Sequence, residues 1–317
     1  MSRFAFVFPG QGSQAVGMGR ALASASPAAA AVFAEADEAL REPITALAWD
    51  GPAETLDRTE NAQPALLATS IAYLAALRER GDGAPKPAFA AGHSMGQYSA
   101  LVAAGVVSIR DGVRLVRERG RLMQSSGEGR DGAMAAILGL DDAHLPELVA
   151  EASASGVFAV ANRNAPGQVV VSGERRAVEA AADIAKRLGA RKTIVLPVSV
   201  AAHSPLMAAA ADGMRAVLSD VQFADPVVPL LANADARLLT TAESCRAELV
   251  EHLTTGVDWV HAVETMTAAG VSTFVEVGPG RVLTGLIKRI APDAEAITLD
   301  DPAAADRLAV PALTARA

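Results

Sequence analysis

The chain of 317 residues is short of several residue types, and each shortage removes a class of protein. Its one cysteine, Cys245, excludes an intramolecular disulfide and any metal site built on several thiolates. Its histidines, His93, His144, His203, His252 and His261, form no ligand-spaced cluster, so no metal site is expected. Basic residues are outnumbered, 28 Lys and Arg against 36 Asp and Glu, for a formal charge of −8. Nucleic-acid binders carry a basic excess, so no nucleic-acid partner is expected. Long apolar runs are missing too. The longest uncharged stretch, residues 87–109, is interrupted by His93, Ser94, Gln97, Tyr98, Ser99 and three glycines. It reads as a buried strand, a tight turn and a buried helix rather than a membrane span. The apolar run 4–8 is too short for a signal-peptide core, so a cytoplasmic protein without membrane attachment is expected.

What is present is an apolar-rich globular chain. Hydrophobic residues make up 51% and charged residues 20%, a balance that fits neither disorder nor a fibrous repeat. Phe4-Ala5-Phe6-Val7-Phe8 reads as a strand buried on both faces, closed by Pro9-Gly10. A helix is expected over residues 28–41, ended by Pro43, and another over 65–80, preceded by Asn61-Ala62-Gln63-Pro64 and stopped by Gly81-Asp82-Gly83. A strand at 88–91 and a helix over 110–125 follow. Alternating strand and helix argue for a mostly parallel α/β sheet.

The texture changes at the polar joint 126–132. Strands are expected at 133–138, 157–162, 168–172 and 191–196, with helices over 141–152 and 174–188. The order β-α-β-β-α-β is the ferredoxin-like pattern. The expected fold class is therefore α/β, with an α/β-hydrolase-like large domain on a parallel sheet and an inserted ferredoxin-like small domain. The large domain takes residues 1–127 and 198–317, and the insert takes 128–197. In the second part, helices are expected over 203–218, 243–254 and 258–269, strands at 227–231 and 273–277, a helix to about 290, and a loosely held tail from 301.

Gly92-His93-Ser94-Met95-Gly96 fits the G-x-S-x-G nucleophile elbow. In that turn the serine stands at a strand's carboxyl end, and the flanking glycines avoid clashes where the chain crowds. A nucleophilic serine needs a base. His203 is the best candidate, where an apolar run meets a helix start. His93 would support the turn instead. Between Ser94 and His203 no acid stands out at a strand end, and a main-chain carbonyl could orient the base in place of a carboxylate. The N–H of Met95 supplies one oxyanion donor, and Gln11, in the loop Gly10-Gln11-Gly12, is a candidate for the second. That loop lacks the third glycine of the dinucleotide fingerprint and has no phosphate-binding lysine. Among Arg110, Arg114, Arg117, Arg119 and Arg121, most form a solvated helix face, and one can turn into the cleft to hold a carboxylate. The sequence does not choose among them.

With these motifs in view, the chain resembles the malonyl-CoA:acyl-carrier-protein transacylase family of bacterial type II fatty-acid synthesis. The likeness runs from Phe6 to about Lys288. It is carried by residues 8–14 (Phe8-Pro9-Gly10-Gln11-Gly12-Ser13-Gln14), 92–100 (Gly92 to Ala100), 119–124 (Arg119 to Gln124), 162–168 (Asn162 to Gln168), 200–207 (Val200 to Met207) and 276–280 (Glu276 to Gly280). The resemblance implies Ser94 as nucleophile, His203 as base, and Gln11 and Met95 as oxyanion donors. It implies Arg119 as partner of the malonyl carboxylate, Asn162 at the substrate, and the main-chain carbonyl of His252 as orienter of His203. It implies no cofactor: malonyl-CoA is a substrate, and phosphopantetheine arrives on the holo-acyl-carrier protein. The carrier is a transient partner, expected on a local basic patch drawn from Arg281, Lys288, Arg289, Arg187, Arg191 and Lys192, and the enzyme is expected to be a monomer.

This sequence departs from the family's pattern at three places. Gln97 stands where Glu is more frequent. His252 stands where Gln is usual, which brings a second titratable group if its side chain enters the cleft. Ala202 stands where many members carry Phe, which enlarges the acyl pocket toward a methylmalonyl group. Rival readings are a serine thioesterase or hydrolase, an acyltransferase of a polyketide or malonate-decarboxylase system, and a carrier-binding module without catalysis.

Overall fold

The structure, a computed structural model, describes residues 3–79, 86–129, 131–198 and 200–299. The helix stop expected at 81–83 and the tail from 301 lie outside the described residues. The strands are β1 (Arg3–Phe8), β2 (Phe89–Gly92), β3 (Gly132–Leu138), β4 (Phe158–Ala165), β5 (Gln168–Glu174), β6 (Lys192–Val195), β7 (Leu230–Leu231), β8 (Leu238–Leu239), β9 (Val257–Asp258), β10 (Val271–Val277) and β11 (Glu295–Leu299). They form two sheets in an α/β arrangement.

The larger sheet runs β11-β10-β1-β2-β7-β8. Its first five strands are parallel, and only the β7–β8 pair is antiparallel. Side chains of a strand alternate between faces, so a central strand feeds two cores. In β1, Phe4, Phe6 and Phe8 join one cluster, with Leu66, Tyr98 and Val116, while Ala5 and Val7 join another, with Trp259, Met266 and Phe274. The small sheet runs β6-β3-β5-β4-β9. Its β3–β5, β3–β6 and β4–β5 pairs are antiparallel, and β9, from much later in the chain, adds to β4 in parallel. The helices Leu145–Ser153 and Arg175–Arg187 cover one face, giving a separate core around Ile137, Leu148, Phe158 and Val171.

Several elements differ from the sequence expectation. The helix expected from 65 begins at Thr59 and carries Pro64 inside it, so Gln63 is helical. Strand β11 and the short helices Arg20–Ala25, Ile44–Asp50 and Ala53–Leu56 were not expected. The 227–231 strand shrinks to Leu230–Leu231, and the helix expected from His203 begins as a 3-10 turn at Pro205 and becomes α-helical at Ala208. Short polar or Pro-marked segments carry weak periodicity, which tertiary pairing overrides.

One close approach sets up the site. The helices Thr59–Glu79 and Ile109–Gly127 meet at Gly120, where a Cβ would lie 2.6 Å from Glu60 Cα. Glycine lets the two backbones touch, and the neighbouring Arg119 is carried onto Gln63. The Glu276-Val277-Gly278-Pro279-Gly280 motif has a structural use. Buried Glu276 accepts from the N–H groups of Leu283 and Thr284, at 3.0 and 2.7 Å, and so caps the helix Val282–Ile290.

Candidate active site

Strand β2 ends at Gly92, and the helix Gly96–Ala103 begins four residues later. A turn this tight brings chain against chain: a Cβ on Gly92 would overlap the Gly96 carbonyl, and one on Gly96 would overlap Phe8 O. Ser94 takes a left-handed φ of 53°, a conformation that costs a non-glycine residue free energy and persists only where neighbours enforce it. Its N–H donates to Asn233 Oδ1 at 2.8 Å. Gln97 is fully buried, and its amide uses both ends: Oε1 accepts from Gly92 N and Nε2 donates to Leu231 O. An ionised Glu could not make the second bond. His93 contacts Asn164 Oδ1 at 2.8 Å and lies edge-on to Trp259.

His203 also has a left-handed φ, 58°. Its Nδ1 lies 2.6 Å from the main-chain O of His252. A carbonyl only accepts, so Nδ1 carries the proton and Nε2 presents a lone pair. That lone pair faces Ser94 Oγ at 2.8 Å. The same logic applies to His252: its Nδ1 donates to Glu248 O at 2.9 Å, leaving the Nε2 lone pair 3.4 Å from Arg119 Nη2.

Arg119 is 1% exposed. Nη1 donates to Gln63 Oε1 at 2.9 Å and Nη2 to Ser94 Oγ at 3.0 Å. Nε has no partner, and no carboxylate of the described residues lies within ion-pair distance. A buried guanidinium held only by neutral groups is poised for an anion. Burial lowers the Arg119 pKa from its ordinary value. Burial, with the Arg119 charge alongside, pushes His203 down to about 3 and His252 well below the imidazole range. Both imidazoles are neutral at neutral pH, as a proton acceptor requires.

Ser94, His203, Arg119 and His252 are thus gathered at one point. Met95 follows Ser94 and precedes the Gly96–Ala103 helix, whose first three N–H groups donate to His93 O, Ser94 O and Met95 O. The Gln11 side chain is exposed and donates to Thr59 Oγ1. Asn162 is buried in β4 opposite Val257 and makes no hydrogen bond to Ser94, His203 or Arg119. Ala202 is half-buried and touches both the main core and the small cluster of Met134, Ala161 and Val170. Gln63, Asn233 and Glu248 are polar neighbours that the sequence reading passed over. A lone glutamine in the apolar run 62–77 and an acid four residues before His252 were the available signals. A cleft of about 450 Å³ lined by Asp131, Glu174, Arg175, Arg176 and Leu206 contains none of the gathered side chains. Its arginines are paired, Arg175 with Asp131 and Arg176 with Glu174. Among the described residues no group of three His, Cys, Asp or Glu could hold a metal ion, and no helix is long and apolar enough to cross a membrane.

Residues 5–299 match the acyl transferase domain family. The malonyl CoA-acyl carrier protein transacylase of Escherichia coli K12 is 46% identical over 304 residues, 96% of this chain and 98% of its own. The chain belongs to the malonyl-CoA:acyl-carrier-protein transacylases. The structure agrees with solved members of that transacylase family. An acyl-carrier-protein S-malonyltransferase from Bartonella henselae is 42% identical with a TM-score of 0.95, covering 98% of this chain and 99% of that one. A malonyl-transacylase solved with its holo type II polyketide acyl-carrier protein is 43% identical with a TM-score of 0.93, covering 99% of this chain and 100% of that one.

Proposed function

We propose that this enzyme moves the malonyl group of malonyl-CoA to the phosphopantetheine thiol of holo-acyl-carrier protein, for fatty-acid biosynthesis, through a malonyl-Ser94 ester. The observation that carries the reading is Arg119, buried beside the nucleophile with no carboxylate partner among the described residues. A malonyl carboxylate supplies that partner, and a bidentate pair fixes the acyl chain. Its arrival exchanges the Arg119 bonds to Ser94 Oγ and His252 Nε2 for bonds to the substrate.

His203 Nε2 then takes the Ser94 hydroxyl proton as Oγ bonds to the thioester carbon. The carbonyl π pair moves to oxygen, where the N–H groups of Gln11 and Met95 receive it. The pair returns, the C–S bond breaks, and the His203 proton leaves with the CoA thiol. In the second half the carrier's thiol gives its proton to His203, and sulfur bonds to the ester carbon. The C–Oγ bond breaks, and the proton returns to Ser94. No step requires a cofactor. Asn162 and the wall formed by Ala202 border the acyl chain, and the small Ala202 widens the pocket toward a methyl branch. His252 serves through its main-chain oxygen on His203, and its Nε2 contacts Arg119 until the substrate arrives.

We assign residues 128–197 to a ferredoxin-like subdomain inserted in an α/β-hydrolase-like one; the antiparallel order β6-β3-β5-β4 supports this. The carrier docks on basic residues near the Val282–Ile290 helix, Lys288 and Arg289 foremost. Arg289 is anchored on Pro166 O at 2.7 Å. Arg187 is committed to Glu147 and Glu151, and contributes less. A polyketide carrier presents the same thiol, as in the solved complex of the relative above, and would be served by the same steps.

Intact mass after mixing with malonyl-CoA, then with holo-carrier, tests the reading. The expected result is a malonyl adduct that Ser94→Ala abolishes and that moves to the carrier faster than it hydrolyses. Release of free malonate without transfer would overturn it in favour of a hydrolase.

A further inference from the structure

No acid stands out at a strand end between Ser94 and His203, but a buried one lies behind the elbow in space. Glu248 lies on the helix Ala242–Thr255 and is fully buried. Its Oε1 accepts from Asn233 N at 2.6 Å. Asn233 is 3% exposed and is held at three points: its N by Glu248, its O by Asp258 N at 2.6 Å, and its Oδ1 by Ser94 N. From the other side, Glu248 O accepts from His252 Nδ1, and His252 O accepts from His203 Nδ1. With the Ser94–His203 contact the bonds close into a ring: Ser94, Asn233, Glu248, His252, His203 and back to Ser94. Glu248 sits opposite the Ser94–His203 contact, its carboxyl reaching the nucleophile through Asn233 and its carbonyl reaching the base through His252.

We propose that Glu248 is a positioning residue for acyl transfer, holding Asn233 so that Asn233 Oδ1 keeps Ser94 in its left-handed conformation opposite His203. Ser94 at φ 53° does not hold itself there. Without the carboxyl, buried Asn233 N loses its acceptor, and the loop between β7 and β8 is free to move by fractions of an ångström. Displacement of that size at a nucleophile lowers the rate of the chemical step while leaving substrate affinity intact. The acceptor oxygen matters more than the charge. Burial pushes the Glu248 carboxyl up to about 7, helped by the acids Glu251 and Asp235 and opposed by the Asn233 hydrogen bond and by Arg237, whose nearest guanidinium nitrogen is 3.6 Å from Oε2. An amide supplies the same oxygen to Asn233.

The proposal rests on the malonyl-Ser94 reading, and single-turnover malonylation followed by intact mass separates the two. If the unmodified enzyme forms no adduct, the functional reading fails. If it forms one, the Glu248 variants decide this proposal alone. Glu248→Gln is expected to malonylate within about twofold of the unmodified rate. Glu248→Ala is expected to be slower by about tenfold or more, with the malonyl-CoA concentration for half-maximal rate unchanged and full adduct reached in the end. Asn233→Ala is expected to lose at least as much. Because Glu248 acts through Asn233, the double variant should be no slower than Asn233→Ala. Where Glu248→Ala is recovered unfolded, Glu248→Met, similar in volume and without an acceptor, takes its place under the same expectation. An unchanged rate in Glu248→Ala, a loss confined to half-saturation, a Glu248→Gln as slow as Glu248→Ala, or multiplied losses in the double variant would each overturn the proposal.

Discussion

Two arginines on one helix, two positions apart, meet opposite fates. Arg117 and Arg119 both lie in Ile109–Gly127, and both are buried, at 5% and 1% exposure. Arg117 points to the rim, where Nη2 meets Glu42 at 2.8 Å and Nη1 donates to Asn61 Oδ1 at 2.6 Å. Arg119 points inward to a glutamine, a serine and a histidine, with no acid of the described residues in reach. A rotation of about 200° on the helix separates a satisfied ion pair from a charge awaiting its partner. Burial alone therefore does not mark a functional arginine. The mark is burial without a counter-charge, next to a nucleophile.

Removing each guanidinium breaks the comparison most directly. Arg119→Ala should lower kcat/KM for malonyl-CoA by about a hundredfold or more, because the substrate carboxylate is then buried unpaired. Acetyl-CoA, which has no such carboxylate, should lose far less, and equal losses would remove the selector role. Stability should hold or rise, since an uncompensated charge is gone. Arg117→Ala should do the reverse. Thermal unfolding should show a loss of about 1–3 kcal/mol, with both acyl-CoA rates unchanged.

The pH profile sharpens the contrast further. His203 is held down to about 3 by burial first and by the Arg119 charge second. Its neutral, proton-accepting form is therefore present throughout pH 5–8, and acetyl transfer should show no acid limb from it there. In Arg119→Ala the second cause is removed, the His203 pKa rises, and an acid limb should move up toward neutrality. Arg117→Ala should leave the profile in place. A limb that does not move in Arg119→Ala would detach that charge from the base.

His252→Gln probes the smallest effect. The main-chain oxygen on His203 stays, and one long contact to Arg119 changes partner, so kcat/KM should stay within about threefold. Stability should respond more clearly. A folded imidazole held below its unfolded value of 6.5 makes the unfolded chain the better proton binder as pH falls below that value. Stability is then lost as pH drops through this window. Removing one such imidazole should flatten the decline of Tm between pH 6.5 and 5, and an unchanged slope would mean that His252 is not held neutral.

Much of this was legible in the residues. The apolar run 4–8 is a central parallel strand, because five consecutive apolar side chains have to be covered on both faces. The glycines around Ser94 are demanded by contacts that any Cβ would overlap. The pairing of Ser94 with a distant histidine, and the lack of an acid in the usual chain position, also followed from motif and order. Other features were hidden. The helix containing Gln63 starts earlier than local propensity indicates, since Asn61 and Pro64 favour loops when taken on their own. Strand β11 borrows its conformation from pairing with β10, which no short window contains. Glu248 lies in the helix expected over 243–254, and nothing in that helix's own pattern marks its contact with Asn233.

What the sequence determined by itself was therefore the chemistry on offer: a strained serine between glycines, a histidine to take its proton, and an arginine somewhere on the helix that follows. Local patterns suffice because backbone sterics, alternation and hydrogen-bond capacity act within a few residues. Which arginine turns inward, which carbonyl orients the base and which buried acid stands behind the elbow were decided only by the tertiary structure. Those choices depend on residues 15 to 139 positions apart in the chain. They depend also on how closely two helices meet at Gly120, since burial and electrostatic pairing are properties of neighbours in space.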